Sequence, residues 1–345
     1  ILVYPEKLIA PNRLVQIQSN QFYPSKGTIG IIGSGNFTSA MILPCLKKTS
    51  GKLKIISSAS GLSGTTLAKK YKIPFSTTDN ITIMEDRDID LVMITTRHNS
   101  HAKLVIDALK ADKNVFVEKP LALNAEELDL VIEAYKNSGK TVTVGFNRRF
   151  APLSIKMKTA LGNTNSSMNI IATMNAGFIP SKVWVQDMQI GGGRIIGEAC
   201  HFIDLISYLT GSKVKSVCMN SMGIDPNENS DNASILLKYE NGTNAVINYF
   251  ANGSKAYAKE RVEIYHQERT LILDNWRSLK GYGFRNFSTA RSSQDKGHQN
   301  QFNQLIASIQ NGGNQIIPMD EIVNTTKASF AAIESLKTGT WVNII

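Results

Sequence analysis

The segment Gly27-Thr28-Ile29-Gly30-Ile31-Ile32-Gly33-Ser34-Gly35-Asn36-Phe37 passes from an apolar, β-rich run into a glycine-containing loop. Beyond the loop, apolar spacing predicts a helix through Lys48, and Pro44 indicates a kink or a nearby boundary. A Gly-x-Gly turn between a buried strand and a helix lets the backbone approach a pyrophosphate. The third fingerprint position holds Thr38, so the match is partial, and a bare Gly-x-Gly is also compatible with an ordinary βα turn. In its βαβ context the loop predicts dinucleotide binding.

Strands and helices alternate after this loop, over about 120 residues. Such alternation predicts an α/β domain with a doubly wound parallel sheet, which we place at residues 27–150. Residues 1–26 contain three prolines and no clear period, so we interpret them as a linker or an N-terminal extension. The predicted strands are Lys54–Ala59, Asp90–Thr95, Asn114–Glu118 and Thr141–Val144, and the predicted helices are Leu62–Tyr71, Ser100–Ala111 and Ala125–Asn137.

The pattern changes after Phe150, where strands follow one another. The sequence Glu240-Asn241-Gly242-Thr243 predicts a type I′ hairpin turn between two of them. We therefore expect an α+β domain with a mostly antiparallel open sheet over residues 151–345, whose C-terminal helices pack back on the first domain. Its predicted strands are Met168–Asn175, Lys213–Ser221, Ala233–Glu240, Thr243–Phe250, Arg261–His266 and Thr270–Leu273, and its predicted helices are His201–Leu209, Asn300–Ile309 and Asp320–Leu336.

The 345-residue chain has a net charge of +10 that is spread along its length. A nucleic-acid-binding stripe would be more concentrated, so we exclude a nucleic-acid partner and favour an anionic small molecule. No apolar run approaches the roughly 18 residues of a membrane span. Three distant cysteines without a CxxC motif predict reduced thiols in a cytoplasmic protein. Because the first residue is Ile1, we expect a fragment of a longer protein.

The expected ribose-binding acid is missing from the second strand. No Asp or Glu occurs between Glu6 and Asp79, and the strand ends in Ser57-Ser58-Ala59-Ser60-Gly61. Without that carboxylate a 2′-phosphate meets no repulsion, and serine hydroxyls can donate to it. The cofactor is thus predicted to be NAD or NADP, with a lean toward NADP.

Glu118-Lys119-Pro120 stands at the carboxyl end of a predicted parallel strand, where α/β sheets place ligands. An ammonium group there can stabilise a developing alkoxide, although the lysine could also be a surface residue. The run from Gly191-Gly192-Gly193 to Asp204 is the second candidate. His201 in it suits a general base near pH 7, with a buried core histidine as the alternative. Glu198 and Asp204 lie three residues to either side of it, on the same helical face.

Five segments taken in order resemble the Gfo/Idh/MocA oxidoreductase family. They are the Gly-x-Gly-Asn loop, Thr95–Ala102, Glu118–Pro120, Gly145–Phe150 and Gly191–Asp204. The resemblance implies a Rossmann domain, a substrate domain whose open sheet forms dimers, and NAD(P)-linked redox chemistry on sugars.

Within this resemblance, Lys119 and His201 correspond to the catalytic lysine and histidine, and Asp204 to a substrate-side residue. Many members have an acid four residues before the histidine, where this chain has Gly197 followed by Glu198.

Residues 175–180 and 193–198 resemble one branch in particular. In that branch this unit is the C-terminal half of a protein whose other half is like a zinc-type alcohol dehydrogenase. The resemblance therefore implies a fused partner domain in the longer protein, and a homodimer or homotetramer.

The site residues that we predict fall into three sets. The catalytic set is Lys119, Glu198 and His201. The substrate-binding set is Lys119, Arg149, Trp184, His201 and Asp204. The cofactor-binding set is Gly33, Gly35, Asn36, Phe37, Ser58, Thr95, Thr96, His98, His101, Glu118, Lys119 and Pro120.

His98 and His101 have metal-like spacing, but no further ligand is apparent, so no metal is predicted. The sequence predicts an NAD(P)-dependent oxidoreductase acting on a hydroxyl or carbonyl carbon of a sugar or nucleotide sugar. The alternative is a non-catalytic member that binds NAD(P) and a sugar as a sensor or as a partner domain, which the glycine at position 197 motivates. The identity of the substrate is left open.

Overall fold

The computed structural model describes residues 13–19, 21–162 and 166–344, which form two sheets with helices packed on them. The first sheet has seven strands in the order β1-β4-β3-β2-β5-β6-β7. Strands β2 to β7 are parallel, and β1 adds to the edge antiparallel to β4. The strands are Leu14–Gln16 (β1), Thr28–Ile32 (β2), Lys52–Ser57 (β3), Phe75–Thr77 (β4), Leu91–Ile94 (β5), Asn114–Val117 (β6) and Val142–Val144 (β7).

Helices cover both faces of this sheet, so its central strands are buried and read as continuous apolar runs. The predicted doubly wound parallel sheet is confirmed. Strands β1 and β4 were not predicted, and β1 lies in the segment interpreted as a linker or extension. The helices are Leu43–Leu46 (α1), Leu62–Tyr71 (α2), Ile81–Met84 (α3), His101–Lys110 (α4) and Ala125–Ser138 (α5).

The helix expected after the glycine loop begins as a π-helical turn over Thr38–Ile42 and continues as α1. The predicted irregularity at Pro44 therefore lies one turn earlier. Proline has no N–H to donate to the preceding turn, and the Leu43 N–H instead bonds to the Thr38 carbonyl with π-helical spacing.

The second sheet has nine strands in the order β15-β14-β13-β12-β8-β11-β10-β9-β16. Only the β8–β11 pair is parallel among its described pairings, so the mostly antiparallel sheet that the sequence predicts is confirmed. The strands are Asn169–Asn175 (β8), Val214–Ser221 (β9), Asn232–Tyr239 (β10), Asn244–Phe250 (β11), Glu260–His266 (β12), Arg269–Asp274 (β13), Ser278–Tyr282 (β14), Thr289–Arg291 (β15) and Val342–Asn343 (β16).

Burial alternates along these strands, which indicates one covered face and one open face. The helices of this half are Pro152–Leu161 (α6), Cys200–Thr210 (α7), His298–Gln310 (α8) and Met319–Thr338 (α9). Helices α7 and α9 contribute to the core on the covered face, whereas α8 packs its apolar side against the first sheet. No helix of the described residues is both long and apolar enough to cross a bilayer.

The turn between β10 and β11 differs from the type I′ prediction. Gly242 N–H donates to the Tyr239 carbonyl at 3.0 Å, and Gly242 has a positive φ of +83°. A type I′ turn needs positive φ at both Asn241 and Gly242, but only the glycine has it here. The loop is therefore a three-residue connection with glycine in the left-handed position, which suits an Asn-Gly pair equally well.

Candidate active site

A cleft of about 1120 Å³ lies where the carboxyl ends of the first sheet face the second sheet. The first sheet contributes the glycine loop and the ends of β3, β5 and β6. The segment Gly191–His201 and the start of α8 close the opposite side. Predicted site residues that line the cleft are Gly33, Gly35, Asn36, Phe37, Ser58, Thr95, Thr96, His98, Glu118, Lys119, Trp184, Glu198 and His201.

The glycine loop is shaped for close approach by a ligand. Gly33 has φ +115°, and a Cβ there would lie 2.5 Å from Thr95 Oγ1. Gly35 has no other atom within 4 Å of its Cβ position, so its backbone is open to the cleft. Thr38, at the third fingerprint position, shares a 2.8 Å hydrogen bond with Thr95 and ties the loop to β5. These residues fit a dinucleotide pyrophosphate.

Hydroxyl and amide groups surround the end of the cleft beyond β3. Ser58 Oγ accepts from Gly64 N–H at 3.1 Å, and Ser57 Oγ donates to Asn80 Oδ1 at 2.6 Å. The described lining at this end also includes Ser60, Ser63 and Thr78, and it contains no carboxylate. A 2′-phosphate bound at this end would therefore not be repelled by a carboxylate of the described lining.

We expect NADP to bind within a hundredfold of NAD, which corresponds to less than about 2.7 kcal/mol of discrimination. The physical reason is the absence of a carboxylate among the described residues at the β3 end of the cleft. Calorimetric titration of the protein with each dinucleotide measures the difference. An NADP affinity more than a hundredfold below that of NAD would contradict the role given to residues 57–61, which we call the serine turn.

Lys119 spans the cleft from the end of β6 to the second half of the chain. Its Nζ donates to the Gly197 carbonyl at 2.7 Å, which leaves two N–H donors for other acceptors. The neighbouring Glu118 also lines the cleft, and burial raises its pKa to about 7 despite the opposing charge of Lys119. A fixed ammonium group in a cleft is suited to polarise a ligand oxygen.

His201 is the second residue of α7, on the other side of the cleft, and is only 6% exposed. Its ring packs edge-on against Phe146, and its buried Nδ1 has no hydrogen-bond partner among the described residues. Burial, followed by the charges of Arg148 and Lys119, holds the pKa of His201 well below 6.5. The imidazole is therefore neutral at pH 7 and able to accept a proton.

Glu198 lines the cleft but does not pair with His201. Its Oε2 accepts from the Tyr249 hydroxyl at 2.6 Å and from Arg194 Nη2 at 3.4 Å. Burial alone would raise the pKa of Glu198, but Lys119, Arg194 and the Tyr249 hydroxyl outweigh it and lower that pKa. The carboxylate is thus ionised and held by two groups that the sequence analysis did not identify.

The glycine at position 197 has a steric cause. A Cβ at Gly197 would lie 3.0 Å from His98 Cε1. His98 cannot readily move, because its Nδ1 is 2.7 Å from the Gly191 carbonyl and its ring packs edge-on against Trp184 at 4.8 Å. Burial, and then the charge of Lys119, lowers the pKa of His98 to about 3, so this neutral ring donates from Nδ1. Any side chain at position 197 would therefore require this fixed ring to shift by a few tenths of an ångström.

We therefore expect Gly197→Asp to lower the free energy of unfolding by about 1–3 kcal/mol, the usual cost of overpacking. Chemical denaturation measures this loss. The double variant Gly197→Asp/His98→Ala should lose less than the two single variants added together, because the second change removes the clash. Strict additivity would refute the steric explanation.

Four predicted site residues lie outside the cleft lining. Arg149 and Asp204, predicted to bind substrate, are buried and paired with each other through two hydrogen bonds of 3.0 and 2.6 Å. Arg149 also donates to Glu321 on α9 at 2.8 Å, so the buried pair joins three elements outside the cleft lining.

His101 and Pro120, predicted to bind cofactor, are in buried contact with each other and lie outside the cleft lining. His101 Nδ1 is 2.7 Å from the Pro120 carbonyl, and its Nε2 is 3.2 Å from the Thr96 carbonyl. Burial lowers the pKa of His101 to about 4. This neutral ring supports the loop that carries Lys119 and does not reach the cleft.

Several lining residues were not predicted from the sequence, and Arg148 is the most informative. Arg149 was the predicted residue of the Asn147–Phe150 segment, but this segment is a 3-10 helix that directs Arg148 to the cleft. The other charged or titratable lining residues that were not predicted are Arg97, Arg194, Lys259, Lys296 and His298. No group of three or more His, Cys, Asp or Glu side chains suited to a metal ion occurs in the described ranges.

A Rossmann-type sheet with an open glycine loop, facing a lysine and a neutral histidine, defines a dinucleotide-binding oxidoreductase. Two family models match the chain. Residues 28–146 match the Gfo/Idh/MocA oxidoreductase family with its NAD-binding Rossmann fold, and residues 167–272 match the C-terminal domain of the same family. Together they span about two thirds of the chain, which belongs to the Gfo/Idh/MocA oxidoreductase family.

Individual relatives are similar over most of the chain. Oxidoreductase YrbE of Bacillus subtilis is 28% identical over 72% of this chain and 74% of its own length. Myo-inositol 2-dehydrogenase of Thermotoga maritima is 28% identical over 61% of this chain and 62% of its own length. The fold matches that of levoglucosan dehydrogenase in complex with NADH and levoglucosan, with TM-score 0.80, 21% identity, and coverage of 92% of this chain and 99% of that one.

Proposed function

We propose that the cleft binds NAD or NADP together with a sugar or nucleotide sugar, and that hydride passes between the nicotinamide C4 and a carbinol carbon. The observation that carries this proposal is the arrangement of Lys119 and His201. They reach one cleft from the two halves of the chain, and both lie close to Gly197, whose carbonyl accepts from Lys119 and which precedes His201 by four residues. Such a pair can act on a single substrate oxygen.

The two side chains have complementary tasks in this proposal. Lys119, anchored by one N–H, donates a second to the carbinol oxygen and stabilises negative charge on it. His201 is neutral and takes the hydroxyl proton during oxidation, and returns it during reduction. Glu198, held by Tyr249 and Arg194, places a negative charge beside Lys119 rather than relaying a proton from His201.

Cofactor contacts are proposed for the residues that line the first-sheet side of the cleft. The glycine loop would hold the pyrophosphate, and Ser58 lies at the ribose end. Thr95 and Thr96 follow β5, and His98 and Glu118 would flank the nicotinamide. Trp184, packed edge-on against His98 and beneath the Arg97 guanidinium, is the proposed boundary between the cofactor and substrate regions.

The names of the relatives support polyol chemistry. Similar proteins are described as inositol and levoglucosan dehydrogenases, and these substrates are cyclic compounds rich in hydroxyl groups. We further propose residues 27–150 as the cofactor domain and 151–345 as the substrate domain. We also propose that the protein is a homodimer or homotetramer and that it is located in the cytoplasm. The resemblance stated above further suggests a longer protein whose other half is like an alcohol dehydrogenase.

A non-catalytic sensor is the second candidate, because position 197 lacks the family's acid. Lys119 and His201 favour catalysis, since a sensor requires neither a polarising ammonium group nor a neutral base. A screen of sugars, polyols and nucleotide sugars, followed by NAD(P)H absorbance, separates the two. Dinucleotide binding without turnover of any compound would favour the sensor.

We expect His201→Asn to lower kcat about a hundredfold and to remove the acidic limb of the pH–rate profile. A histidine can accept a proton only while it is neutral, which requires a pH above its pKa. Because the pKa of His201 lies below 6.5, we expect the activity to fall only at pH values below 6.5. Steady-state rates between pH 4.5 and 8 measure the limb. Glu118, with a pKa of about 7, is the control: Glu118→Gln should keep the limb below pH 6.5. Loss of that limb in Glu118→Gln alone would assign it to the carboxylate.

A further inference from the structure

Basic side chains dominate the described lining of the cleft. Six of them face it, namely Arg97, Lys119, Arg148, Arg194, Lys259 and Lys296. The acidic residues of the same lining are Glu118 and Glu198. The excess lies on the substrate side, because the glycine loop and the serine turn contribute no charged side chain.

Some of this positive charge is already neutralised. Arg194 pairs with Asp231 at 3.1 Å and with Glu198 at 3.4 Å. Arg148 and Lys296 share a single carboxylate, Glu260, which is 2% exposed. The single negative charge of Glu260 therefore neutralises only one of these two positive charges.

Lys259 adds a further cation beside this pair. It precedes Glu260 in the chain, and its exposed side chain makes no hydrogen bond or ion pair within the described residues. The Lys259 charge reaches Glu198, whose pKa it helps to lower. Lys259 therefore belongs to the substrate side of the cleft, next to Glu198 and Lys296.

The neighbouring titratable groups respond to this charge. Burial lowers the pKa of Lys296 despite Glu260, and Arg148 and Lys259 lower it further. Burial lowers the pKa of His298 to about 4, with Arg148 and Lys296 adding to the effect. The contributions of these neighbouring cations to both pKa shifts indicate a region that disfavours another cation.

We propose that Lys259 and Lys296, backed by Arg148, form a subsite for an anionic group of the substrate, either a carboxylate or a phosphate. The proposal rests on the proposed function and narrows its substrate class to sugars that carry a negative charge. The anion would bind Lys259 and the free N–H donors of Lys296, while Lys119 and His201 act on a hydroxyl elsewhere on the same molecule. The Glu260 carboxylate keeps Arg148 and Lys296 in place before the ligand arrives.

The test is calorimetric titration of the protein–NADH complex with D-glucuronate, D-glucose 6-phosphate and D-glucose. The first two probes distinguish a carboxylate from a phosphate, and the third lacks a charge. We expect at least one anion to bind about tenfold or more tightly than glucose, the usual effect of one charge-assisted contact. Lys259→Gln should weaken that anion about tenfold and leave glucose and NADH within twofold. Lys255→Gln, an exposed lysine of the same loop outside the cleft lining, is the matched control and should change nothing.

Several results would overturn the subsite. The first two are glucose binding as tightly as both anions, and none of the three probes binding. The third is an equal effect of Lys259→Gln and Lys255→Gln on the affinity for the anion. The fourth is that Lys259→Gln weakens only the binding of NADH, which would assign these lysines to the cofactor phosphates. Failure of the proposed function gives a different result, because the protein then either binds NADH without turning over any compound or does not bind NADH. If NADH does not bind, the protein–NADH complex cannot be formed. The anion titrations are in that case made on the free protein, where a selective loss in Lys259→Gln still supports the subsite and its absence overturns it.

Discussion

Lys119→Met is expected to lower kcat about a hundredfold to a thousandfold, which is the usual loss for one donor to a developing oxyanion. Methionine keeps the length and packing of the side chain but cannot donate to the carbinol oxygen. The substitution also removes the 2.7 Å bond to the Gly197 carbonyl, although the pyrophosphate contacts of the glycine loop remain. Dinucleotide affinity should therefore stay within a fewfold of the original. Single-turnover rates and a dinucleotide titration measure the two quantities.

Lys110→Met provides the matched control for this variant. Lys110 is an exposed lysine in the last turn of α4, outside the cleft lining, and its loss should leave kcat unchanged. Near-normal turnover by Lys119→Met on the true substrate would remove this residue from the mechanism, and the polarising group would then have to be sought among the other cations of the cleft.

Glu260→Ala is expected to lower the free energy of unfolding by about 3–5 kcal/mol. The Glu260 carboxylate accepts from Arg148 twice at 3.0 Å, from Lys296 at 2.6 Å and from the Trp276 indole N–H at 2.6 Å. Alanine would leave two cations and one buried indole N–H without this acceptor. Urea denaturation at pH 7 measures the loss.

Glu263→Ala on the same strand is the control for Glu260. Glu263 bonds to Arg261 and Tyr265 near the surface, so its removal should cost less than about 1 kcal/mol. Equal losses in the two variants would contradict the importance assigned to the buried cluster.

The Glu260 cluster also has a defined pH dependence. Burial would raise the pKa of Glu260, but Arg148 and Lys296 outweigh it and lower the pKa to about 2. A lowered folded-state pKa means that the contribution to stability is complete above the ordinary value of 4.5 and is lost as the pH falls toward 2. The difference in stability between the original protein and Glu260→Ala should therefore shrink below about pH 4.5.

The parts of the fold that follow from local pattern were predictable from the sequence. The predicted helix Leu62–Tyr71 has the same bounds in the structure, and the alternation of strands and helices indicated the parallel sheet. The short strands β1 and β4 were not predictable in this way. Each of them has three residues. Strand β1 is a strand because it pairs with β4 at the edge of the sheet. A period cannot be recognised over so few residues.

The candidate site was only partly predictable, and the reason is geometric. Lys119 and His201 could be predicted, because each belongs to a motif: Lys119 follows a parallel strand at its carboxyl end, and His201 follows a run of three glycines. The choice between Arg148 and Arg149 depends on the phase of one 3-10 turn, which a sequence pattern does not specify. Tyr249 and Lys259 come from strands and loops of the second sheet, and their approach to Glu198 depends on long-range pairing.

The contact between Gly197 and His98 has a consequence for how sequences of this kind can diverge. A side chain at position 197 requires a smaller or displaced side chain at position 98, because the two compete for one volume. The positions are therefore epistatic, and the order of mutational steps is constrained. The less costly order for a lineage that gains an acid at position 197 is to lose the bulk at position 98 first, since the reverse order passes through an overpacked intermediate.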